Sequence, residues 1–384
     1  MGSVFPEEIF LEILSRLPVK SLMRFKCVSK SWYFLIRDPR LGELHLLHHR
    51  SRHLDSLNIA LCHRSAPRLR SYKLVGEEIT RWEQNMFGMD WVGYGPYGLQ
   101  IMSCEGLICF VQDEIVHVCN PTTGELERLP RTCSFGPLAF GFGYDPTRKE
   151  YKVVRPILCS LVDEIVSRSE VITLGDDGGW RTIEQSVELV RGRPVTLNGV
   201  IYWMSKSKLV TFNVGDESFG ETEVPSIFKD NLPDGAMLVV LHGKLCLVNN
   251  VRHDDGWNGE LHIWMLKDRT SNLWTKEYCF EPHRCGMPWD VTPVCMWREK
   301  IVLQHKGYRF FFYDLETRTF SEVRGDWDRL PYDLITDYME SLVTVKRGDI
   351  RRPLCLPPCG TLERNKRKRY EGEQKKKDKD VNLS

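Results

Sequence analysis

The stretch from Gly106 to Leu129 decides the fold of most of this chain. It contains two apolar segments, a turn and a third apolar segment: GLICFV (106–111), IVHV (115–118), NPTTG (120–124) and LERL (126–129). Short apolar segments separated by turn residues predict consecutive antiparallel strands. The same order of segments recurs at 199–216, 244–274 and 300–317.

The turns of these units are spaced regularly along the chain. They centre on Pro121, Asp176, Asp216, Asp268 and Asp314. A spacing of roughly 40–50 residues, with several strands in each unit, is typical of propeller blades. We therefore predict a mostly β propeller of about six blades over residues 54–350. A large β-sandwich or two small β-domains is the alternative.

Five blades can be read directly from the sequence, and the sixth must join the two ends of the propeller. We expect Leu57 to Cys62 and Leu69 to Val75 to pair with Ser341 to Val345 from the far end. Such a blade closes the ring and removes exposed sheet edges.

Residues 1–46 predict a small helical domain. Helical spacing of apolar residues indicates three short helices, at 6–17, 19–26 and 28–37, and Asp38-Pro39 ends the third. We interpret 47–53 as a linker. The histidines of this region (His45, His48, His49 and His53) fit a solvated linker, with a metal or pH-sensing role as the alternative. So short a unit leaves part of its apolar surface for a partner.

The helical segment resembles the F-box. The matching strings are FPEEI (5–9), ILSRLPVKSL (13–22), RFKCVSKSW (24–32) and IRDP (36–39). The body resembles the F-box-associated, kelch-like propeller domain of the large plant F-box family. The residues that carry this resemblance are NPTT (120–123), FGYDP (142–146), YKVV (151–154), NGVIYW (198–203), WTK (274–276) and YMESLV (338–343). Together the two resemblances cover about residues 4–346.

The resemblance implies a fold and a role. The fold is α+β and multidomain: a small three-helix F-box and a mostly β kelch-like propeller, to which the composition of the last residues adds a disordered basic tail. The role is that of a substrate receptor in a Skp–cullin–F-box ubiquitin ligase, which recruits a target protein for ubiquitination and proteasomal degradation. Its partners are a Skp-family adaptor and, through it, the cullin and RING subunits. The predicted adaptor-binding residues are Phe5, Pro6, Ile9, Ile13, Leu14, Leu17, Val28 and Trp32.

Two alternatives to this role remain open. One is an interaction protein that binds the adaptor without directing ubiquitination, and the other is a propeller hydrolase with an accessory helical segment. The sequence shows no convergent set of catalytic residues. Gly141-Phe142-Gly143 is followed by Asp145-Pro146, so it is no dinucleotide fingerprint, and we interpret its glycines as permitting a strand bend. We expect no catalytic residue and no cofactor.

Metal binding is also not expected from sequence spacing. Cys279, His283 and Cys285 lie near one another, and Cys355 and Cys359 lie apart, but neither group has the paired CxxC spacing of a structural zinc site.

Loops between strands are the natural place for target recognition, because they vary without disturbing the blades. Three loops, at 81–97, 252–258 and 282–290, are rich in the aromatic and arginine side chains that dominate interfaces. The predicted target-binding residues are Trp82, Trp91, Tyr94, Arg252, Trp257 and Trp289. The alternative is that these aromatics pack between blades.

Charge is distributed unevenly along the chain. The formal net charge is +1, yet residues 360–384 carry nine basic and five acidic residues. We interpret 351–384 as a disordered basic tail. Its cluster Lys366, Arg367, Lys368 and Arg369 resembles a nuclear import signal, with a solvated tail or a weak nucleic-acid or membrane contact as alternatives. We expect a protein of nucleus and cytoplasm.

Other partners and compartments are not expected. The acidic body argues against nucleic-acid binding. No apolar run approaches the ~18 residues of a membrane helix, and Glu7 and Glu8 stand where a signal peptide would be apolar. The thirteen cysteines are therefore expected to be reduced.

Overall fold

The chain begins with a helical unit and continues into a six-bladed propeller. In this computed structural model, the residues described are 6–50, 57–63, 66–75, 78–86, 99–112, 114–132, 139–160, 165–185, 187–188, 190–253, 259–282, 291–305, 309–325 and 334–345. By its internal contacts the chain divides into 1–347 and 348–384. The predicted tail lies outside the described residues.

The helical unit has four α-helices where the sequence predicted three. They are α1 (Glu7–Ser15), α2 (Val19–Phe25), α3 (Lys30–Ile36) and α4 (Pro39–Arg50). The predicted linker is therefore partly wrong, because α4 continues through residue 50. His45 is buried in α4, and its Nε2 lies 3.0 Å from the Leu17 carbonyl oxygen, so it belongs to the helical core instead of a solvated segment.

Local chemistry sets the helix boundaries. Pro6 and Pro18 precede α1 and α2, where a missing backbone N–H costs nothing. Ser29 caps α3, because its Oγ accepts a hydrogen bond from the Trp32 N–H at 3.2 Å. Asp38 does the same for α4, accepting from the Arg40 N–H at 2.8 Å. None of the helices described here is long and apolar enough to cross a bilayer.

Six antiparallel blades follow. Blade 1 contains β1 (Leu57–His63), β2 (Ala66–Val75), β3 (Glu78–Met86), β24 (Arg324–Gly325) and β25 (Leu334–Tyr338); blade 2 contains β4 (Leu99–Cys104), β5 (Leu107–Gln112), β6 (Ile115–Asn120) and β7 (Glu125–Arg128). Blade 3 contains β8 (Gly141–Asp145), β9 (Glu150–Ser160), β10 (Ile165–Thr173) and β11 (Arg181–Ile183); blade 4 contains β12 (Arg191–Leu197), β13 (Val200–Met204), β14 (Lys208–Asn213) and β15 (Ser218–Glu223). Blade 5 contains β16 (Met237–Leu241), β17 (Lys244–Arg252), β18 (Gly259–Asp268) and β19 (Leu273–Phe280); blade 6 contains β20 (Val291–Trp297), β21 (Lys300–His305), β22 (Arg309–Asp314) and β23 (Phe320–Glu322).

The predicted closure of the ring is correct in principle but wrong in position. The closing strand is β25, which pairs antiparallel with β1 from Asn58 opposite Tyr338 to Cys62 opposite Leu334. The Tyr338 hydroxyl is hydrogen-bonded to the buried Ser71 hydroxyl of β2, which ties the end of the closing strand into blade 1. The segment 341–345, which was expected to close the ring, forms no strand.

The repeated turns are stabilised by the same side-chain bond. The residue that begins each turn accepts a backbone N–H two residues later. This occurs in the predicted turns at Asn120 (2.8 Å), Asp176 (3.2 Å), Asn213 (2.9 Å), Asp268 (2.9 Å) and Asp314 (3.0 Å), and also at Asp145 (2.8 Å) between β8 and β9. The Asp and Asn residues of the repeat therefore stabilise turns.

Gly141 and Gly143 are required by close packing between blades 3 and 4. A Cβ at Gly141 would lie 2.3 Å from the Trp203 ring, and one at Gly143 would lie 2.6 Å from Val214. Trp203 is completely buried. The predicted strand bend is thus not the reason for these glycines, because their role is to leave room for the neighbouring blade.

Candidate functional site

The helical unit exposes several large apolar side chains. The exposed fractions are 44% for Ile9, 54% for Ile13 and 66% for Val28. Ile9 and Ile13 are four residues apart in α1, so they share one face of that helix. Apolar groups left in water on so small a unit indicate a surface that a partner covers. The sequence missed Phe34, which is 51% exposed on α3.

The structure separates the predicted adaptor-binding residues into exposed and core positions. Leu14 is only 2% exposed and packs with Leu11, Val19 and Leu22 in the helical core. Leu14 therefore lies in the helical core and not on the exposed surface where the sequence placed it. Leu17 and Trp32 are partly buried against the same core. Pro6 is exposed, and Phe5 lies outside the described residues.

Residues 339–345, here called the strap, fasten this helical unit to the propeller. Asn120 is completely buried at the end of β6, and its side-chain amide donates to the strap. The Nδ2 atom lies 3.1 Å from the Ser341 carbonyl oxygen, 3.0 Å from Ser341 Oγ and 2.7 Å from the Val343 carbonyl oxygen. Because these bonds are shielded from water, breaking them leaves buried polar groups unpaired.

The strap also contacts the apolar cores on both of its sides. Leu342 packs in the helical core. Its backbone lies close to α4, since a Cβ added at Gly42 would be 3.8 Å from the Leu342 carbonyl group. Val345 packs in the core of blades 2 and 3, and its N–H donates to Glu125 Oε2 at 2.9 Å. A further bridge joins Glu43 of α4 to Lys149 of blade 3, at 2.5 Å. The helical unit is thus held on one face of the propeller.

This face, here called the helical face, is defined by strand direction. The inner strands β4, β8, β12, β16, β20 and β25 contact one another around the ring. Within blades 2 to 6 the inner strand comes first and its neighbours alternate in direction. Turns from the first to the second strand and from the third to the fourth therefore lie on one face. The turns that contact the strap and α4 all connect a first to a second strand or a third to a fourth strand; they are at 104–107, 120–125 and 145–150.

The strand ends that flank the predicted target-binding loops lie at the opposite face of the ring. These loops join the second strand to the third, or one blade to the next. The strand ends that flank them are Met86 and Leu99, Arg252 and Gly259, and Phe280 and Val291. Arg252 is exposed there, and the backbone of Trp82 lies in β3 opposite Ser71. Trp91, Tyr94, Trp257 and Trp289, like Lys366, Arg367, Lys368 and Arg369, lie outside the described residues.

A cavity of about 840 Å³ occupies the centre of the ring. Its walls are inner-strand residues, among them Arg193 near the start of β12, Thr292 near the start of β20 and Asp337 of β25. Arg193 spans two blades by donating to the Ile101 carbonyl oxygen at 3.1 Å. The side chain of Arg193 is exposed to the channel, but desolvation by the surrounding inner strands still lowers the pKa of Arg193 to about 10 against the opposing effect of the Asp337 carboxylate, so the group stays cationic at neutral pH.

Comparison with known proteins agrees with this architecture. Residues 3–44 match the F-box domain, and residues 68–339 match the F-box associated beta propeller domain. The F-box protein At5g65850 of Arabidopsis thaliana is 30% identical over 301 residues, which cover 73% of each chain. The putative F-box protein At5g62660 of the same plant is 32% identical over 302 residues, covering 71% of this chain and 76% of its own.

Proposed function

Because the chain belongs to the F-box proteins that carry an F-box associated beta propeller domain, we propose that it is a substrate-recognition subunit of a Skp–cullin–F-box ubiquitin ligase. The F-box implies binding to a Skp-family adaptor. Through that adaptor the cullin and RING subunits join the complex, and the propeller holds a target protein for ubiquitination and degradation.

The observation that carries this proposal is the arrangement of the two surfaces. Exposed apolar residues of the F-box lie on a unit that the strap and Asn120 fix to the helical face. The strand ends that flank the predicted target-binding loops lie at the opposite face. A receptor of this kind needs no chemistry of its own, because holding a target lysine near the charged conjugating enzyme raises the effective concentration of the reactants.

Co-purification tests the assembly step directly. Tagged full-length protein is expected to recover a Skp-family adaptor together with a cullin. An Ile9→Asp, Ile13→Asp variant is the right trap for targets, because it keeps the full chain. Deleting the F-box instead would uncover Leu342, which packs in the helical core. Recovery of the adaptor without any cullin would support the alternative of an interaction protein outside the ligase.

Target capture is expected to depend on the face opposite the F-box. Arg252 is exposed beside one of the predicted loops, so Arg252→Glu reverses a charge where a partner would bind. Arg318 is also an exposed arginine, on the β22–β23 turn at the helical face, so Arg318→Glu is the matched control. We expect Arg252→Glu to reduce the proteins captured by the trap variant at least about tenfold, and Arg318→Glu to leave them unchanged, by quantitative mass spectrometry. Equal losses in both variants would count against target recognition on this face.

The basic cluster at 366–369 is proposed to direct part of the protein to the nucleus. Four consecutive cations form a point of concentrated positive charge on a chain whose net charge is only +1. Changing Lys366, Arg367, Lys368 and Arg369 to Ala is expected to shift a tagged protein from nucleus to cytoplasm, with adaptor binding unchanged. The measurement is the nuclear-to-cytoplasmic fluorescence ratio. An unchanged ratio would leave a solvated tail as the better account.

A further inference from the structure

A group of side chains that can act as metal ligands lies at one end of blade 5. Glu260 and His262 are two residues apart in β18, so both side chains lie on the same side of the sheet. Cys279 of β19 is the residue directly opposite His262. His253 follows the end of β17 and reaches the same place. Three chain segments thus bring an imidazole, a carboxylate, a thiol and a second imidazole together.

The distances within this group are close to those of a metal site. His262 Nε2 lies 2.6 Å from Glu260 Oε2, and Cys279 Sγ lies 3.7 Å from the same oxygen. His253 Nε2 lies 3.5 Å from Glu260 Oε1. One ligand atom each from Glu260, His262 and Cys279 lies within 4.8 Å of the others. Bonds of about 2.0–2.3 Å around tetrahedral zinc place ligand atoms roughly 3.3–3.8 Å apart, so small side-chain rotations suffice.

We propose that Glu260, His262 and Cys279 form a zinc-binding site, with His253 as the fourth ligand. Thiolate and imidazole together favour zinc over magnesium and calcium, which take oxygen ligands. In the metal-free arrangement, hydrogen bonds hold the cluster together, with the thiol donating to Glu260. A divalent cation replaces the protons of those bonds and neutralises the carboxylate.

The place of the site in the fold is consistent with a role in holding the chain. Cys279 is exposed and His262 keeps 14% of its side chain in contact with solvent, so an ion has access from water. Zinc here ties β18 to β19 and to His253, the neighbour of Arg252. The metal therefore fixes the backbone beside one predicted target-binding residue. The inference that zinc binds does not depend on target recognition.

Sequence spacing could not reveal this site. Its ligands are distributed over residues 253–279 on three segments, without the CxxC pattern by which zinc sites are recognised. Only the register that places Cys279 opposite His262 brings them together.

Cobalt substitution tests the proposal on the full-length protein. Chelator-treated wild type is expected to bind Co²⁺ with the visible bands of tetrahedral cobalt and a thiolate-to-cobalt charge-transfer band, and Zn²⁺ should bleach both. Cys279→Ser should lose the charge-transfer band, and His262→Gln should lose the tetrahedral visible bands. Cys27→Ser removes another exposed thiol, from the F-box, and should keep all bands.

Melting temperature gives a second readout that does not rely on colour. Because a ligand that binds only the folded state stabilises it, Zn²⁺ should raise the melting temperature of wild type and Cys27→Ser but not that of Cys279→Ser. Without metal, all three proteins should melt alike, which shows that the variants fold. Failure of wild type to bind Co²⁺, or an unchanged charge-transfer band in Cys279→Ser, would overturn the proposal.

Discussion

Replacing Ile9 and Ile13 together by Asp is expected to abolish binding of the Skp-family adaptor while leaving the protein folded. Both side chains are about half exposed in the free chain, so the new carboxylates remain hydrated and cost little stability. Docking removes only the exposed half of each isoleucine from water, so each contributes about half of the ~1.5–3 kcal/mol of a full apolar burial. Losing both corresponds to a fall in affinity of at least about tenfold, and burying two carboxylates in the complex adds several kcal/mol to this loss.

The measurement is the dissociation constant for the purified adaptor, together with the melting temperature. Ile227 is an isoleucine of the propeller that is slightly more exposed, at 61%, so Ile227→Asp is the matched control and should bind normally. Leu14→Asp provides the contrast, because a carboxylate at a 2% exposed position should unfold the helical unit itself. Normal adaptor affinity in the double variant would place the docking surface elsewhere.

The second large effect is expected at Asn120, which joins the strap to blade 2. Asn120→Ala removes the amide that donates to Ser341 and Val343, and it also removes the oxygen that accepts the Thr122 and Thr123 N–H groups. Since the site is buried, we expect a loss of about 3 kcal/mol in the free energy of unfolding. The F-box should also become more accessible to protease, because the strap holds Leu342 in its core.

Asn213 isolates the contribution of the strap. It occupies the corresponding turn of blade 4 and accepts the Gly215 and Asp216 N–H groups at 2.9 and 3.1 Å, but it has no strap to bind. Asn213→Ala should therefore cost only about 1 kcal/mol, similar to the loss of a cap. Urea unfolding of both variants measures the difference. Equal losses would show that Asn120 merely stabilises its turn.

The blade count was predictable because each turn carries its own local chemistry. Asn120, Asp176, Asp268 and Asp314 each accept a hydrogen bond from the backbone N–H two residues later, so the spacing of these turns is visible in the sequence. The closing strand was not predictable in the same way. Segments 334–338 and 341–345 both contain apolar and β-branched residues. Partners more than 200 residues away decide between them: β1 pairs with the first, and Asn120 binds the second.

The helical unit shows a similar division between local and tertiary information. The helical spacing of the apolar residues distinguishes the exposed Ile9 and Ile13 from the buried Leu14 only if it is known which side of α1 faces the core. That side is set by α4, which packs against α1. The sequence of α4 includes Gly42, His45 and His48, which resemble linker residues. His45 is nevertheless buried, because its ring packs inside the unit and contacts the Leu17 carbonyl oxygen.

The central claim is that the chain brings a target to a ubiquitin ligase through its F-box. Its most direct test is ubiquitin transfer to the proteins captured by the trap variant, in a reaction reconstituted with adaptor, cullin, RING subunit and conjugating enzyme. Wild type should produce ubiquitin conjugates on the captured proteins, and the Ile9→Asp, Ile13→Asp variant should produce none. Equal conjugation with both proteins, or none with wild type, would contradict the account.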